Sequence, residues 1–382
     1  MFRKISDAYK FLGVFVLNVF LMLIIGHYLI GAVFLLKSYI EGVKPGIDSR
    51  AYLPPYDNYP EKELLWLGQG DAFKTNFEPY FHWRRPSLHT KYTNVDDAGI
   101  RKTIKHPNKN AKKVFVMGGS TTWSTGAPDD MTIPSILQRL LGPDYDVYNL
   151  GETAFVAAQE LNYLLKKLAD GDVPDIVIFY DGNNDGYAGA YSPGIPRDPL
   201  NLRQYEMIKQ KGFVYNGIRY IFYKRLNYSI LFDWISKKVE KSNDDKLWDQ
   251  NIKGREKELV SQVVNYYEAH IRQVKALSRE YGFQVYFFWQ PHLLNLSRNV
   301  HPYEQEIINN SAPGRVESQR QVYLQAKERF SNREDEDIFF LGDVLNESKE
   351  PIFIDWSHIS PRGNQIIAEK MFECLRDKII SH

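Results

Sequence analysis

From about residue 112 onward, two periodicities alternate along the chain. Short apolar or alternating runs fall at Val114–Gly118 (opening VFVMGGSTTWST), Tyr145–Leu150, Pro174–Tyr180, Gln284–Trp289 and Ile338–Leu341, each followed by glycine, proline or polar residues. This is the pattern of strands buried in a sheet. Between them apolar residues recur at helical spacing: Ile133, Ile136, Leu137, Leu140 and Leu141 before a Gly142-Pro143 stop, then Leu161, Leu164, Leu165 and Leu168 within 157–169. Longer helical stretches cover 256–282 and 315–330, and a last one opens near Gly363. Strand and helix in alternation predict an α/β fold, a parallel sheet with helices on both faces. The turns at Gly119-Ser120, Gly151–Ala154 and Gly182–Asp185 should then meet on the carboxyl edge of the sheet, where ligands of open α/β sheets bind.

The N-terminal third follows neither pattern. Phe11 to Leu36 reads FLGVFVLNVFLMLIIGHYLIGAVFLL, with no Asp, Glu, Lys or Arg, long enough as a helix to cross about 30 Å of hydrocarbon. The exit through Leu35-Leu36-Lys37-Ser38-Tyr39 lacks the small-residue pattern of a cleavage site, so a retained anchor is expected. Arg3, Lys4 and Lys10 precede the span and Lys37 and Lys44 follow it, a slight bias that puts the ten-residue tail in the cytoplasm and the body outside it. Residues 37–111 are rich in proline and in aromatics such as Trp66, Tyr80, Phe81, Trp83 and Tyr92. They read as an irregular juxtamembrane segment packed by its aromatic rings. Within it, Asn94 to Arg101 resembles a turn between short strands, with Arg101 and the paired aspartates either solvated or facing a polar substrate. The main domain then runs over 112–382, with an insertion at about 187–250 that mixes Arg219, Lys224, Arg225, Lys237 and Lys238 with Tyr205, Phe213, Tyr220 and Trp234. Cations beside aromatics suit sugars, lipid headgroups or simple packing.

Composition narrows this picture only at a few points. With 382 residues, 43% hydrophobic and 25% charged, the chain can bury a large core. A formal net charge of +1 argues against a globally basic nucleic-acid binder. The single cysteine, Cys374, excludes an intrachain disulfide and a cysteine-built metal cluster.

Ser120, Asn184, Asp355 and His358 carry the candidate chemistry. Taken singly, Gly119-Ser120 could be a strand-to-helix turn, and Asp355 with His358 could be a helix cap beside a surface histidine. Taken together they offer one group for each role in nucleophilic catalysis. Ser120 would attack, His358 would act as base and then acid, and Asp355 would orient the imidazole. The Asn184 amide, with the N–H groups of Ser120 and of the Gly151–Ala154 turn, would hold an oxyanion.

These blocks resemble the SGNH hydrolase superfamily, the GDSL-like esterases and lipases. Gly118-Gly119-Ser120 is similar to the first block, Asn149-Leu150-Gly151 to the second, Gly182-Asn183-Asn184-Asp185 to the third and Asp355-Trp356-Ser357-His358 to the last, in family order over about 114–370. The resemblance implies a three-layer, flavodoxin-like fold and chemistry at an ester. The Gly-x-Ser-x-Gly elbow of α/β-hydrolases is absent, since Thr122 stands at its second glycine. Gly119 occupies the position of the family's aspartate, and Ala154 that of its usual oxyanion-hole glycine, leaving Gly151 as the weaker donor. The resemblance further implies a membrane-anchored esterase working without metal or organic cofactor, with O-acetyl groups of a cell-envelope or exported glycan as the leading substrate. Acetyl transfer to a glycan, a lipid esterase and a non-catalytic glycan-binding or assembly protein of the same fold stay open as alternatives.

Overall fold

The computed structural model describes residues 2–40, 42, 44, 47–72, 75–106, 108–191, 254–311 and 313–379. Helix α1 (Phe2–Ile40) carries a segment, Tyr9–Val33, long and apolar enough to cross a membrane. Its apolar side chains, among them Phe11, Val14, Leu17, Met22 and Leu29, are exposed. The described residues from Asp48 onward form a separate compact unit. The aromatic and cationic insertion lies, from residue 192 on, outside the described residues, with its first residues ending a helix that follows the third strand of the sheet.

The stretch after α1 is more ordered than its proline content suggests. It holds helix α2 (Lys62–Ala72), a hairpin of β1 (Asn76–Glu78) and β2 (His82–Arg84), and a second of β3 (Leu88–His89) and β4 (Asn94–Val95). Helix α2 contains Gly68 and Gly70 and has little intrinsic propensity. Its helical form rests on tertiary contacts: Leu65 and Trp66 are buried, Gln69 Nε2 donates to the Ala127 carbonyl at 3.0 Å, and its Oε1 accepts from the Gly126 N–H at 2.8 Å. The expected turn at 94–101 is present, but Arg101 is neither solvated nor facing a cleft. It is buried, donates to the carbonyls of Trp123, Ser124 and Ala127 at 2.6–3.0 Å and pairs with Asp129 at 3.1 Å, tying down the chain just after Ser120.

The sheet follows as predicted. Its strands are β5 (Lys112–Gly118), β6 (Tyr145–Asn149), β7 (Ile176–Asp181), β8 (Gln284–Trp289) and β9 (Ile338–Phe340). Between and after them come α3 (Ser120–Trp123), α4 (Ile133–Leu141), α5 (Ala157–Ala169), α6 (Asn183–Tyr191), α7 (Glu256–Tyr281), α8 (Pro302–Asn309), α9 (Pro313–Phe330) and α10 (Pro361–Ile379). All five strands are parallel, in the order β6-β5-β7-β8-β9. Side chains alternate between two cores: Phe115, Met117, Val177, Phe179 and Phe287 face α5, α7 and α9, while Val114, Val116, Ile176, Ile178 and Phe288 face α4 and α10. The result is a three-layer α/β/α unit whose order, 2-1-3-4-5 in sequence terms, is the flavodoxin-like one. Cys374 is half-buried against the α4–α10 core.

In this order the chain leaves β5 in one direction to build β6 and later crosses back to β7, so the switch point lies between β5 and β7. Ser120 follows the end of β5 and Asn184 the end of β7. The turn out of β5 has room only for glycine. A Cβ at Gly118, whose φ is +151°, would lie 2.6 Å from the Tyr180 carbonyl oxygen and closer still to Thr122 Oγ1. Gly118→Ala should therefore destabilise the unit by about 3 kcal/mol. Thermal unfolding of the detergent-solubilised chain followed by near-UV circular dichroism checks this, and an unchanged midpoint would contradict the close approach.

Candidate active site

Three of the singled-out residues are brought into one hydrogen-bonded line. Ser120 opens α3 at the end of β5, and His358 comes from the loop between the sheet and α10. Its Nε2 lies 2.7 Å from Ser120 Oγ, across 238 residues of sequence. Its Nδ1 lies 2.6 Å from Asp355 Oδ2. A carboxylate only accepts, so Nδ1 carries the proton and Nε2 presents its lone pair to the serine hydroxyl.

The loop that holds the pair is braced on both sides. Phe353 and Ile359 form an isolated antiparallel bridge, and the Ile354 N–H donates to the His358 carbonyl at 2.9 Å. Asp355 Oδ1 accepts from the N–H groups of Ser357 and His358 at 3.0 and 2.8 Å. Burial works against ionisation of Asp355, but His358 and these two N–H donors outweigh it and hold the carboxyl well below the usual carboxylate range. The group is therefore an anion wherever the imidazole can act as a base.

Around the serine the remaining residues fall into two groups. The Asn184 side chain lies directly against Gly119, where a Cβ would collide with Nδ2, and this amide nitrogen donates one of its two hydrogens to the Phe155 carbonyl at 2.8 Å. Glycine at position 119 thus makes space for the asparagine amide. The other hydrogen remains for a ligand. Ala154, next to that carbonyl, sits in the left-handed region at φ +56°, and its N–H, like that of Ser120, donates to no group among the described residues. Gly151 differs: its N–H donates to Asn149 Oδ1 at 3.1 Å, and its Cα faces the backbone of Thr122 and Trp123 so closely that a Cβ would meet the Trp123 nitrogen. Gly151 is a packing residue, and Ser120, Asn184 and Ala154 are the available donors. Uncommitted N–H donors of this kind, near a hydroxyl–imidazole–carboxylate line, are the groups that a tetrahedral oxyanion would require.

Several contacts that support this edge were not legible in the sequence, although Asp185 stands in the third block and His292, after Pro291 at a strand end, read as packed, exposed or lining the pocket. Asp185 Oδ1 accepts from the Ala157 N–H at 3.0 Å, tying the start of α6 to the start of α5 and so the Asn184 turn to the Ala154 turn. Glu152, fully buried, accepts from the Arg85 N–H at 3.0 Å and faces the guanidinium groups of Arg84 and Arg85 at 3.6 and 3.5 Å. Arg85 and Arg101 both lie over the ring of Trp123, at 3.6 and 4.1 Å. Thr121 Oγ1 donates to Gln290 Oε1 at 2.7 Å, joining the ends of β5 and β8. His292, at the end of β8, is buried, with Nδ1 accepting from the Leu294 N–H at 3.1 Å and its ring 5.3 Å from Tyr323. No sequence signal marks these pairings, because their partners are distant in the chain. Beside the last block lies an open cavity of about 400 Å³, lined by Leu53, Tyr303, Glu306, Ile307, Asn310 and Trp356, among others. Its size is that of a small-molecule pocket.

No protein-family model matches the sequence, and no curated protein matches it. Solved structures similar to the chain include a carbohydrate acetylesterase family member from Sinorhizobium meliloti, at 14% identity over 71% of this chain and 100% of that one with a TM-score of 0.37. They also include a member of the lipolytic protein G-D-S-L family from Veillonella parvula, at 15% identity over 69% and 97% with a TM-score of 0.32, and the acetyl xylan esterase AlAXEase, at 13% identity over 69% and 99% with a TM-score of 0.33. The chain itself combines a 2-1-3-4-5 parallel sheet with four motif blocks along one edge, the arrangement its sequence resemblance to SGNH hydrolases implies.

Behind the site lies a set of buried carboxyls. Asp181 ends β7 and accepts from Tyr267 Oη at 3.0 Å. Burial, with Asp185 nearby, pushes Asp181 up from 3.8 to about 8, burial lifts Asp185 to about 6, and burial with Asp181 raises Glu160. A carboxyl whose folded pKa is raised favours the protonated native state, so its contribution to stability is full below the unfolded value and is lost as pH rises through the folded one. Native stability should fall between about pH 4 and pH 8, and Asp181→Asn, which cannot ionise, should flatten that fall. Thermal unfolding across this range measures the slope; an Asp181→Asn slope as steep as that of the parent would show that Asp181 does not carry it.

Proposed function

We propose that the chain is a serine esterase of the SGNH type, held to a membrane by α1, that removes acetyl groups from an exported or cell-envelope glycan. The observation that carries the reading is the line from Ser120 Oγ to His358 Nε2 at 2.7 Å and from Nδ1 to Asp355 at 2.6 Å. The hydroxyl attacks the ester carbonyl as its proton passes to Nε2, while Asp355 stabilises the imidazolium. The developing oxyanion is met by the N–H groups of Ser120 and Ala154 and by the second hydrogen of Asn184 Nδ2. The imidazolium then protonates the leaving sugar oxygen to give its hydroxyl, and water, deprotonated by His358, releases acetate from the acyl-serine.

The family resemblance of the four blocks supports an acetyl ester as substrate. The cavity at Trp356 supports a glycan carrier, since Tyr303, Trp356, Glu306 and Asn310 are among the residues that line it, types suited to stacking on a sugar ring and binding its hydroxyls. The apolar Tyr9–Val33 helix, with the slight excess of cations before it, supports a single-pass anchor and an extracytoplasmic body.

The full chain in detergent should hydrolyse a chromogenic acetate ester faster than longer acyl esters. Ser120→Ala and His358→Ala should each remove that activity while leaving the unfolding midpoint in place, and Asn184→Ala should lower kcat by about 10²- to 10³-fold. Retention of activity in Ser120→Ala would end this reading. A parent that labels with a fluorophosphonate at Ser120 but turns over only when a glycan acceptor is supplied would identify transfer in place of hydrolysis. Reporters fused to either end test the orientation; a cytoplasmic body would overturn the envelope substrate and leave the ester chemistry standing.

A further inference from the structure

The stretch that precedes the sheet reaches the Asp355–His358 loop. Asp48 caps a short 3-10 turn, Ser49–Tyr52, by accepting from the Arg50 N–H at 3.0 Å. The same carboxylate grips the Arg50 guanidinium through two bonds, from Nε at 3.1 Å and from Nη2 at 2.8 Å. The guanidinium also lies over the ring of Trp66, 4.5 Å from its centroid. A side chain with this many torsions is held in one place only when such a fork and a stacking face act together. Held there, Arg50 Nη1 lies 3.7 Å from Asp355 Oδ2, the oxygen that binds His358 Nδ1.

The surface carrying Arg50 is locked to the loop that it faces. Trp66 and Tyr56 are buried, with ring centroids 5.7 Å apart edge to face, and Tyr56 Oη donates to the Gly126 carbonyl at 2.6 Å. A Cβ at Gly126 would meet Tyr56 Oη, Trp66 and Ile354, the residue before Asp355. Arg50 and Asp355 therefore stand on two sides of one packed floor.

We propose that Arg50 is a positioning residue for the proposed esterase: fixed by Asp48 and Trp66, its guanidinium holds Asp355 Oδ2 against His358 and makes residues 48–66 part of the site. The inference rests on the Ser120–His358–Asp355 reading above. The other groups facing Asp355 cannot take its place. The phenols of Tyr56 and Tyr303 are pushed up by burial and stay neutral. Arg298 is turned to Glu304, which it binds at 2.8–2.9 Å. Without Arg50, Asp355 Oδ2 keeps His358 as a partner but loses the cation that faces it from the other side.

The test compares Arg50→Gln and Arg50→Lys with the parent, using full chain in detergent, a chromogenic acetate and a fluorophosphonate. Arg50→Gln should lower kcat and the labelling rate at Ser120 about tenfold, with KM within about twofold. Arg50→Lys keeps the charge but not the fork, so it should restore part of kcat and of the labelling rate. A lower rate that Arg50→Lys does not partly restore, or one that tracks only loss of folded protein in both variants, would overturn the inference by making Arg50 merely structural. So would variants that match the parent. A parent that never labels at Ser120 would instead overturn the esterase reading beneath it.

Discussion

The 2.6 Å bond between His358 Nδ1 and Asp355 Oδ2 is the contact on which the rest of the edge depends. An imidazole on a single-bonded side chain could rotate away from Ser120 or present the wrong nitrogen. The carboxylate removes both freedoms at once by fixing the ring plane and the tautomer. It can do so only because it is itself immobile, with Oδ1 committed to the N–H groups of Ser357 and His358 and the loop closed by the Phe353–Ile359 bridge. Burial would have neutralised such a carboxyl, as burial and the nearby Asp185 do at Asp181, where among the described residues no cation or comparable set of N–H donors opposes them. The same residue type thus serves two purposes in one unit, and its partners decide which.

Sheet topology supplies the other half of the constraint. Ser120 and Asn184 meet because β5 and β7 are neighbours whose following turns both leave the carboxyl edge, and because Gly118 and Gly119 remove the side chains that would keep those turns apart. The turn carrying Ala154 is brought in by a different device, the Asp185 bond to the Ala157 N–H. Asp185, the last residue of the third block, is thus a strut between two helix starts. Its burial there raises its pKa.

Much of this was legible in the chain because it is local. Five strands and the helices that cover them announce themselves through periods of two and of 3.6, and each of the blocks at Ser120, Asn184 and His358 is a turn within a few residues of a strand or helix end. What escaped is non-local. Helix α2 has two glycines and lies in a proline-rich stretch, so its sequence argues against it, and what supports it is the burial of Leu65 and Trp66 and the bonds of Gln69 to residues 126 and 127. Arg101, beside Asp96 and Asp97 in the sequence, read as solvated or substrate-facing because its actual partners, Asp129 and three carbonyls beyond Ser120, are distant in the chain. The Asn184 donor was readable as a residue type, but not the fact that half of its amide is spent on the Phe155 carbonyl.

The same logic applies to the segment between α1 and the sheet. A stretch that only spaced the anchor from the body would be expected to keep its charged and aromatic groups in water. Here Tyr56, Leu65 and Trp66 are buried, Gln69 is fully enclosed, and their contacts concentrate on Gly126, Ala127 and Ile354, the residues that flank the Ser120 turn and the Asp355 loop. Packing at native density transmits a displacement rather than absorbing it. A shift of this segment would therefore be felt at the ion pair of Arg50 with Asp355 before it was felt in the sheet. The order of dependence runs from the packed floor, to Arg50, to the carboxylate, to the imidazole, and only then to the serine.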